Sequence, residues 1–343
     1  MHMKKIAIVT ILSNNLGNRL QNYALQETIS GLGYQVETLQ KGNRNTKASR
    51  LIKYWVKRVL KSDDWKFRRF DRKIHWSPYS LAVQGDRERI AEAYDCFVAG
   101  SDQVWNPNFS GTTEDSFLTF APEGKRIAYA ASFGVDNIPG NLLKKYAGYL
   151  SGFSAISVRE KQAVDMVKQL GCHAEWVLDP TFLLPASRWK QIAIRPKKEK
   201  YVLKYLLGEE QADCDTFIEN VFGGVEVVDV KRLLRSRGKT IGPEEFLGLI
   251  ENAQMICTDS FHGSVFSTIF EKPFVIFDRA DQEKDMSSRI DSLCDMLALH
   301  EHRFSSACFD VSNVLSPNYQ KTFALLEKEQ QKAMGYLKDA LNN

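Results

Sequence analysis

The chain has 343 residues, 43% hydrophobic and 26% charged, with 46 Lys/Arg against 42 Asp/Glu and a formal charge of +4. That length exceeds what one hydrophobic core usually organises, and the composition excludes disordered and fibrous classes. So small a charge does not by itself argue for nucleic acid. No apolar run reaches the roughly 18 residues a spanning helix needs; the most apolar late stretch, Val265 to Phe277, is broken by Glu271-Lys272-Pro273.

In chain order, Met1-His2 reads as an added pair before a start at Met3, and the chain then enters a strand rather than a signal peptide. Lys5 to Leu12 is a continuous apolar strand of the parallel-sheet type, ending in Ser13-Asn14-Asn15-Leu16-Gly17-Asn18. Leu16, Leu20, Tyr23 and Ala24 fall on one helical face, Gly31 and Gly33 stop the helix, and Tyr34 to Leu39 forms the next strand. Further strands are expected at Cys96–Ala99, Arg126–Ala130, Ala155–Val158 and Trp176–Leu178, with a helix over 160–170. The stretch 185–200 has no strong pattern and is the expected join. The second half repeats the plan, with strands at Tyr201–Leu207, Val225–Val230, Gln254–Cys257 and Phe274–Phe277. Its helices are expected at 210–222, from Pro243, at 263–271, at 285–298 and at 317–341. The expected domains are 1–185, with a basic helical insertion at 41–90, and 186–343, facing each other across a cleft lined by strand carboxyl ends.

Residues 41–75 depart from this plan. They hold 13 Lys/Arg and 3 Asp, a net +10 where the whole chain carries +4, interleaved with Tyr54, Trp55, Trp65, Phe67 and Phe70. Leu51, Ile52, Trp55, Val56 and Val59 make an amphipathic helical pattern. The segment reads either as a solvated insertion or as a surface for anionic phospholipid or a lipid-diphosphate acceptor. No nucleic-acid motif accompanies it. The six cysteines (Cys96, Cys172, Cys214, Cys257, Cys294, Cys308) show neither zinc nor disulfide-framework spacing, which suits a reducing cytoplasm. No histidine pattern indicates a metal site.

Four strand-end segments carry polar residues suited to chemistry. In Ser13 to Asn18, a turn between strand and helix can offer N–H groups to an anion, or be only a tight turn. In Gly100-Ser101-Asp102-Gln103-Val104-Trp105-Asn106-Pro107, carboxylate, amides and indole suit a sugar. The alternative is a capped turn with Trp105 in the core. Arg159, in Ser157-Val158-Arg159-Glu160, can hold a carboxylate or phosphate, or pair with Glu160 or Asp179. In Thr258-Asp259-Ser260-Phe261-His262-Gly263, His262 stands at a strand end and helix start, where an imidazole can transfer protons near neutral pH.

Together with Asp179-Pro180-Thr181-Phe182, these ordered motifs resemble the polysaccharide pyruvyl transferase family over about residues 4–280. The resemblance implies an α/β, GT-B-like fold of two Rossmann-like doubly wound domains with a C-terminal helix. It implies phosphoenolpyruvate as donor, and as acceptor a sugar of a cell-surface polysaccharide (exopolysaccharide or capsule) or its lipid-linked precursor. The product would be a pyruvate ketal. By motif position, Arg159 would hold the donor and His262 would supply the proton. The donor set is completed by Ser260, Gly263, Ser264, Asn15, Gly17 and Asn18. Asp102 is the expected base, with Asp259 and Glu160 behind it. Ser101, Gln103, Trp105 and Asn106 are the expected acceptor contacts. No cofactor or metal is expected, and the enzyme would work in the cytoplasm or at the inner face of the plasma membrane. Some family members carry Arg two residues before the histidine. Here Ser260 stands there, and Lys204, Arg279 or Lys284 would have to supply the charge. Competing readings are a nucleotide-sugar glycosyltransferase and a non-catalytic glycan-binding or assembly protein. An NAD enzyme is disfavoured by the lack of GxGxxG.

Overall fold

The computed structural model describes residues 3–13, 15–41, 65–235, 241–279, 288–306 and 309–342. The helical pattern expected at 51–60, Lys284 and Cys308 lie outside the described residues. The chain divides into two compact units. Among the described residues, unit 1 draws on those up to Lys41, on Asp71–Leu184 and on 328–342. Unit 2 draws on 65–70 and on those from Pro185 to Glu327.

Unit 1 is built on a parallel sheet of seven strands: β1 (Lys5–Val9), β2 (Gln35–Gln40), β3 (Trp76–Ser80), β4 (Cys96–Ala99), β5 (Arg126–Ala131), β6 (Phe153–Val158) and β7 (Glu175–Trp176), in the order β3-β2-β1-β4-β5-β6-β7. Helix α1 (Leu16–Gly31) joins β1 to β2; α2 (Trp65–Phe70) belongs to unit 2; α3 (Asp86–Ala93), α4 (Gly140–Leu150) and α5 (Lys161–Gln169) follow. Ile6, Ala7, Ile8 and Val9 of β1 are buried, as a central parallel strand requires. The sheet winds outward in both directions from β1 and β4, so the crevice at their carboxyl ends is a topological switch point. β3, which the sequence pattern does not announce, contains Pro78 and sits at the sheet edge, where a missing N–H costs no ladder bond.

Unit 2 carries α6 (Ala186–Ile192), β8 (Tyr201–Tyr205), α7 (Ala212–Phe222), β9 (Glu226–Asp229), α8 (Val230–Arg235), α9 (Pro243–Asn252), β10 (Met255–Thr258), α10 (Phe261–Ile269), β11 (Phe274–Ile276), α11 (Ser288–Leu297) and α12 (Val311–Leu315). Its four strands are parallel in the order β11-β10-β8-β9, with the switch point between β8 and β10. Helix α13 (Gln320–Asn342) ends the described chain, and its tail is fastened in unit 1. The Tyr336 hydroxyl donates to the Ala128 carbonyl at 2.7 Å and Lys332 to that of Trp176 at 2.7 Å. Two doubly wound parallel sheets and a terminal helix are the GT-B-like plan expected. Expected helix 263–271 begins two residues earlier, because Ser260 caps it, and α6 fills part of the stretch read as patternless.

The described end of the basic segment is a packed, charge-paired strand of chain rather than a solvated face. In α2, Phe67 and Phe70 are buried, Arg69 pairs with Glu244 and, at 2.8 Å, with Glu245, and Lys66 lies 3.4 Å from Glu245. These carboxylates stand in the first turn of α9, where the helix dipole already favours them.

Gly248 of α9 lies against the chain after α6: a Cβ there would sit 1.9 Å from the Ile194 carbonyl oxygen. Backbone cannot yield as a side chain can, so Gly248→Ala is expected to destabilise unit 2 by roughly 2 kcal/mol. Gly335→Ala, in α13 with open space around its Cβ, is expected to gain about 0.5–1 kcal/mol from helix propensity. Thermal unfolding of the two variants reads the opposite signs.

His302 is buried flat against Phe274, 4.0 Å between centroids, with Nδ1 donating to the Phe274 carbonyl at 2.9 Å. Burial lowers its pKa below the usual 6.5, outweighing the Phe274 carbonyl and Glu301. A depressed histidine pKa means that the unfolded chain binds the extra proton first. Its contribution is therefore complete above about pH 6.5 and shrinks as pH falls through the unfolded value. In His302→Phe, which keeps the stack, the loss of midpoint between pH 7 and 5.5 should be smaller than in the wild type.

Candidate functional site

Each unit gathers polar side chains at its own switch point. In unit 1 the centre is Arg159, which directly follows β6 and is 4% exposed. Its Nε lies 3.2 Å from Glu160 Oε1, its Nη1 3.0 Å from Asp179 Oδ2 and its Nη2 3.8 Å from Asp102 Oδ1. The three carboxylates hold its pKa above the ordinary value although burial opposes them. Asp179 also accepts from Ser101 Oγ at 2.8 Å, Thr181 N at 3.0 Å and Thr181 Oγ1 at 2.6 Å.

Asp102 follows β4. Its Oδ1 accepts from Gln103 N at 2.9 Å and its Oδ2 from the Asn18 amide, which in turn accepts from Ser13 Oγ. Asp102 has φ +79° and Ala130 φ +49°, both in the region that L-residues enter at a cost of about 1–2 kcal/mol. Ala130 belongs to a bulge in β5 that shifts register between Ala128 and Ala131. The bulge turns Ala131 to bridge Asp102 and to accept from Arg159 N at 3.2 Å. Two strained residues around one carboxylate mark the place where fold and local preference conflict.

The structure thus brings Asn18, Ser101, Asp102, Arg159, Glu160 and Asp179 together. It places the remaining expected acceptor contacts elsewhere. Trp105 is fully buried, stacked on Phe117 at 5.6 Å and tilted on Phe133 at 5.3 Å, with Nε1 donating to the Ser116 carbonyl. Its ring face is core, not sugar platform. Gln103 and Asn106 are buried and hydrogen-bonded to each other at 2.8 Å, beneath Gly134 at φ +63°, whose absent Cβ leaves them room. They close the loop here rather than stand open at its surface. Asn15 caps α1 by accepting from Gly17 N at 2.8 Å.

In unit 2, Asp259 accepts from Leu207 N at 2.6 Å and Gly208 N at 2.8 Å and lies 3.5 Å from Arg279 Nε. Those contacts bind the loop after β8, so Asp259 is a structural carboxylate. Ser260 is the N-cap of α10, accepting from Gly263 N at 3.3 Å, and Ser264 N donates to its carbonyl at 3.0 Å. A Cβ on Gly263 would stand 2.3 Å from Thr258 Oγ1, so glycine is what lets the helix start this close to its strand. His262 lies in the first turn, 8% exposed, edge-on to Phe261 at 5.3 Å. Sequence reasoning missed Tyr205, whose position at a strand end was the available signal: it is buried at this corner, and burial first, then Asp259, pushes its hydroxyl up to about 12. Lys204 is tied to Asp215, and among the described residues Arg279 is the expected cation that stands beside Asp259.

Burial pushes the Cys96 thiol up to about 12 and raises that of Cys257, so both are core thiols rather than nucleophiles. Among the described residues no group of His, Cys, Asp and Glu could hold a metal, and no helix is long and apolar enough to cross a membrane.

If Trp105 is core, Trp105→Phe should lower the unfolding midpoint while leaving the acceptor KM unchanged in any activity assay. A rise in acceptor KM at unchanged stability would restore the indole to the sugar.

Among curated proteins none matches the chain. Solved structures share its fold at low identity. S. aureus MnaA, solved with UDP, is 12% identical with TM-score 0.52, covering 99% of this chain and 97% of that one. A UDP-N-acetylglucosamine 2-epimerase from Rickettsia bellii is 10% identical with TM-score 0.50, covering 98% and 97%. The Klebsiella pneumoniae protein KP1_0663 is 10% identical with TM-score 0.50, covering 88% and 94%. The sequence itself decides the family: the family model for polysaccharide pyruvyl transferase matches residues 15–281, from the cap of α1 past the His262 corner, and the chain belongs to that family.

Proposed function

We propose that the protein transfers the enolpyruvyl group of phosphoenolpyruvate to two hydroxyls of a sugar in a cell-surface polysaccharide or its lipid-linked precursor. The observation that supports this most is His262 on the capped first turn of α10, at the switch point of its sheet, inside the matched family region.

The chemistry divides as follows. His262 as imidazolium gives a proton to the methylene carbon, which becomes the methyl group, and C2 becomes oxocarbenium-like. One hydroxyl adds at C2 and loses its proton to Asp102. The C2–O bond to phosphate then breaks, and the second hydroxyl adds, its proton balancing the departing phosphate. The products are the ketal and inorganic phosphate. The N-terminal end of α10 favours the donor's negative charge. Arg279, beside Asp259, contributes the positive charge that Ser260 does not. The donor and the acceptor class rest on family membership, and the similar UDP-linked structures share only the fold.

The test is phosphate release from phosphoenolpyruvate against free and lipid-linked sugars. Wild type should release phosphate with at least one acceptor, and folded His262→Gln should be slower by roughly 100-fold or more. Thermal stabilisation by UDP but not phosphoenolpyruvate, with no phosphate released, would point instead to a nucleotide-sugar transferase.

A further inference from the structure

Arg159 matches the position at which a donor ligand is expected, yet its surroundings argue for another task. We propose that Arg159 is a positioning residue for Asp102, with Asp179 as its anchor, and not a ligand of the donor. This rests on the reading of Asp102 as the group that takes the acceptor's proton.

The first argument is charge. One guanidinium faces three carboxylates, and all four side chains are at most 10% exposed. Among the described residues the printed ion pairs of the cluster set three carboxylates against one guanidinium, in a place with little water to screen them. A phosphoenolpyruvate anion would be repelled there unless it displaced a carboxylate, and that carboxylate would be left buried without its partner. A neutral hydroxyl meets no such repulsion, and the same negative field favours drawing off its proton.

The second argument is rigidity. Asp179 has no slack: Thr181 supplies two donors to one oxygen, and Ser101 and Arg159 share the other. Nη1 of Arg159 is therefore fixed, and the planar guanidinium fixes Nη2 with it. Glu160 holds the Nε edge at 3.2 Å. Nη2 lies 3.8 Å from Asp102 Oδ1, an ion-pair contact rather than a hydrogen bond, while that oxygen accepts from Gln103 N and Asn18 donates to the other. The carboxylate on a strained backbone is thus oriented by the hydrogen bonds of Gln103 and Asn18 and faces a fixed positive charge on the Arg159 side.

The third argument is access. Asp102's side chain is 10% exposed, against 2% for Arg159, 3% for Glu160 and 0% for Asp179. Among these four it is the most exposed. Arg159 stands behind it.

The experiment compares wild type, Arg159→Lys, Arg159→Met and Asp179→Asn. It uses phosphoenolpyruvate with the sugar giving the highest phosphate release in the panel above. Calorimetric titration with phosphoenolpyruvate counts donor-binding sites, so kcat is expressed per competent site and a misfolded fraction does not imitate a catalytic loss. The expected result is a donor Kd and KM within about twofold of wild type in all variants. Per-site kcat should fall about 100-fold in Arg159→Met, with at least a tenfold recovery in Arg159→Lys and an intermediate loss in Asp179→Asn. If Arg159→Met does not fold, Arg159→Lys and Asp179→Asn carry the comparison. Weakening of donor binding by tenfold or more in Arg159→Lys, with per-site kcat kept, would overturn the proposal in favour of a donor ligand. Unchanged per-site kcat in all variants would overturn it as well. Absence of phosphate release by wild type itself would sink the transferase reading and this inference with it, a result distinct from either of the others.

Discussion

The ion-pair cluster around Arg159 ties together the carboxyl ends of four neighbouring strands in unit 1. The chain after β4 contributes Asp102, β5 reaches Arg159 through the Ala131 carbonyl, Arg159 itself directly follows β6 and the chain beyond β7 brings Asp179. Parallel strands end together, and their last carbonyls and amides have no ladder partner. A guanidinium with donors on three edges, surrounded by carboxylates that accept from backbone and hydroxyl groups, satisfies much of that edge at once. Its net worth to stability need not be large, since desolvating four charges offsets much of the attraction. Removing one member is a different matter, because it strands the others. The cluster therefore specifies the geometry of the switch point more than it stabilises the fold.

Unit 2 solves the same problem with less charge. Asp259 ends β10 as Asp102 follows β4, but it spends its oxygens on two consecutive amides after β8, with Arg279 beside it. Thr258 adds a second tie, donating to the Tyr205 carbonyl at 2.8 Å and accepting from Ser260 N at 3.0 Å. The close approach of Gly263 to Thr258 sets α10 tight against its strand, which is why His262 is delivered by a rigid turn rather than a long loop. Rigid delivery matters for proton transfer, where an error of about 1 Å can cost a hundredfold in rate.

Much of this architecture was legible in the residues. The apolar runs at Lys5, Cys96, Tyr201 and Met255 are buried parallel strands, the periodic face from Leu16 and the stop at Gly31 mark α1, and Pro243 marks the start of α9. β3 was not legible, because Pro78 in a short polar run argues against a strand unless the strand is an edge. Nor was α6, whose seven residues contain one buried anchor, Trp189, too few to show a helical period. The sites divide in the same way. Carboxylates, amides and a guanidinium at strand ends were visible as chemistry, but the hydrogen bonds that recognise a sugar also close a loop. Gln103, Asn106, Trp105 and Asp259 are buried and have partners within the fold. Only burial and partner geometry separate the two uses, and neither is written in local sequence.

Ser260 shows how such a choice constrains the chemistry. At the N-cap its Oγ accepts from Gly263 N and its carbonyl from Ser264 N. An arginine there would forfeit the side-chain cap, at about 1 kcal/mol, in exchange for a mobile cation. The serine holds the helix start and the histidine on it, and any positive charge for an anionic donor must then come from a different element. The chain after β11 supplies one in Arg279, whose Nε lies 3.5 Å from Asp259. A cation anchored by the residue next to the cap is fixed to the same turn that carries His262. In the transferase reading, donor charge and proton source would therefore share one rigid frame although neither resides at position 260.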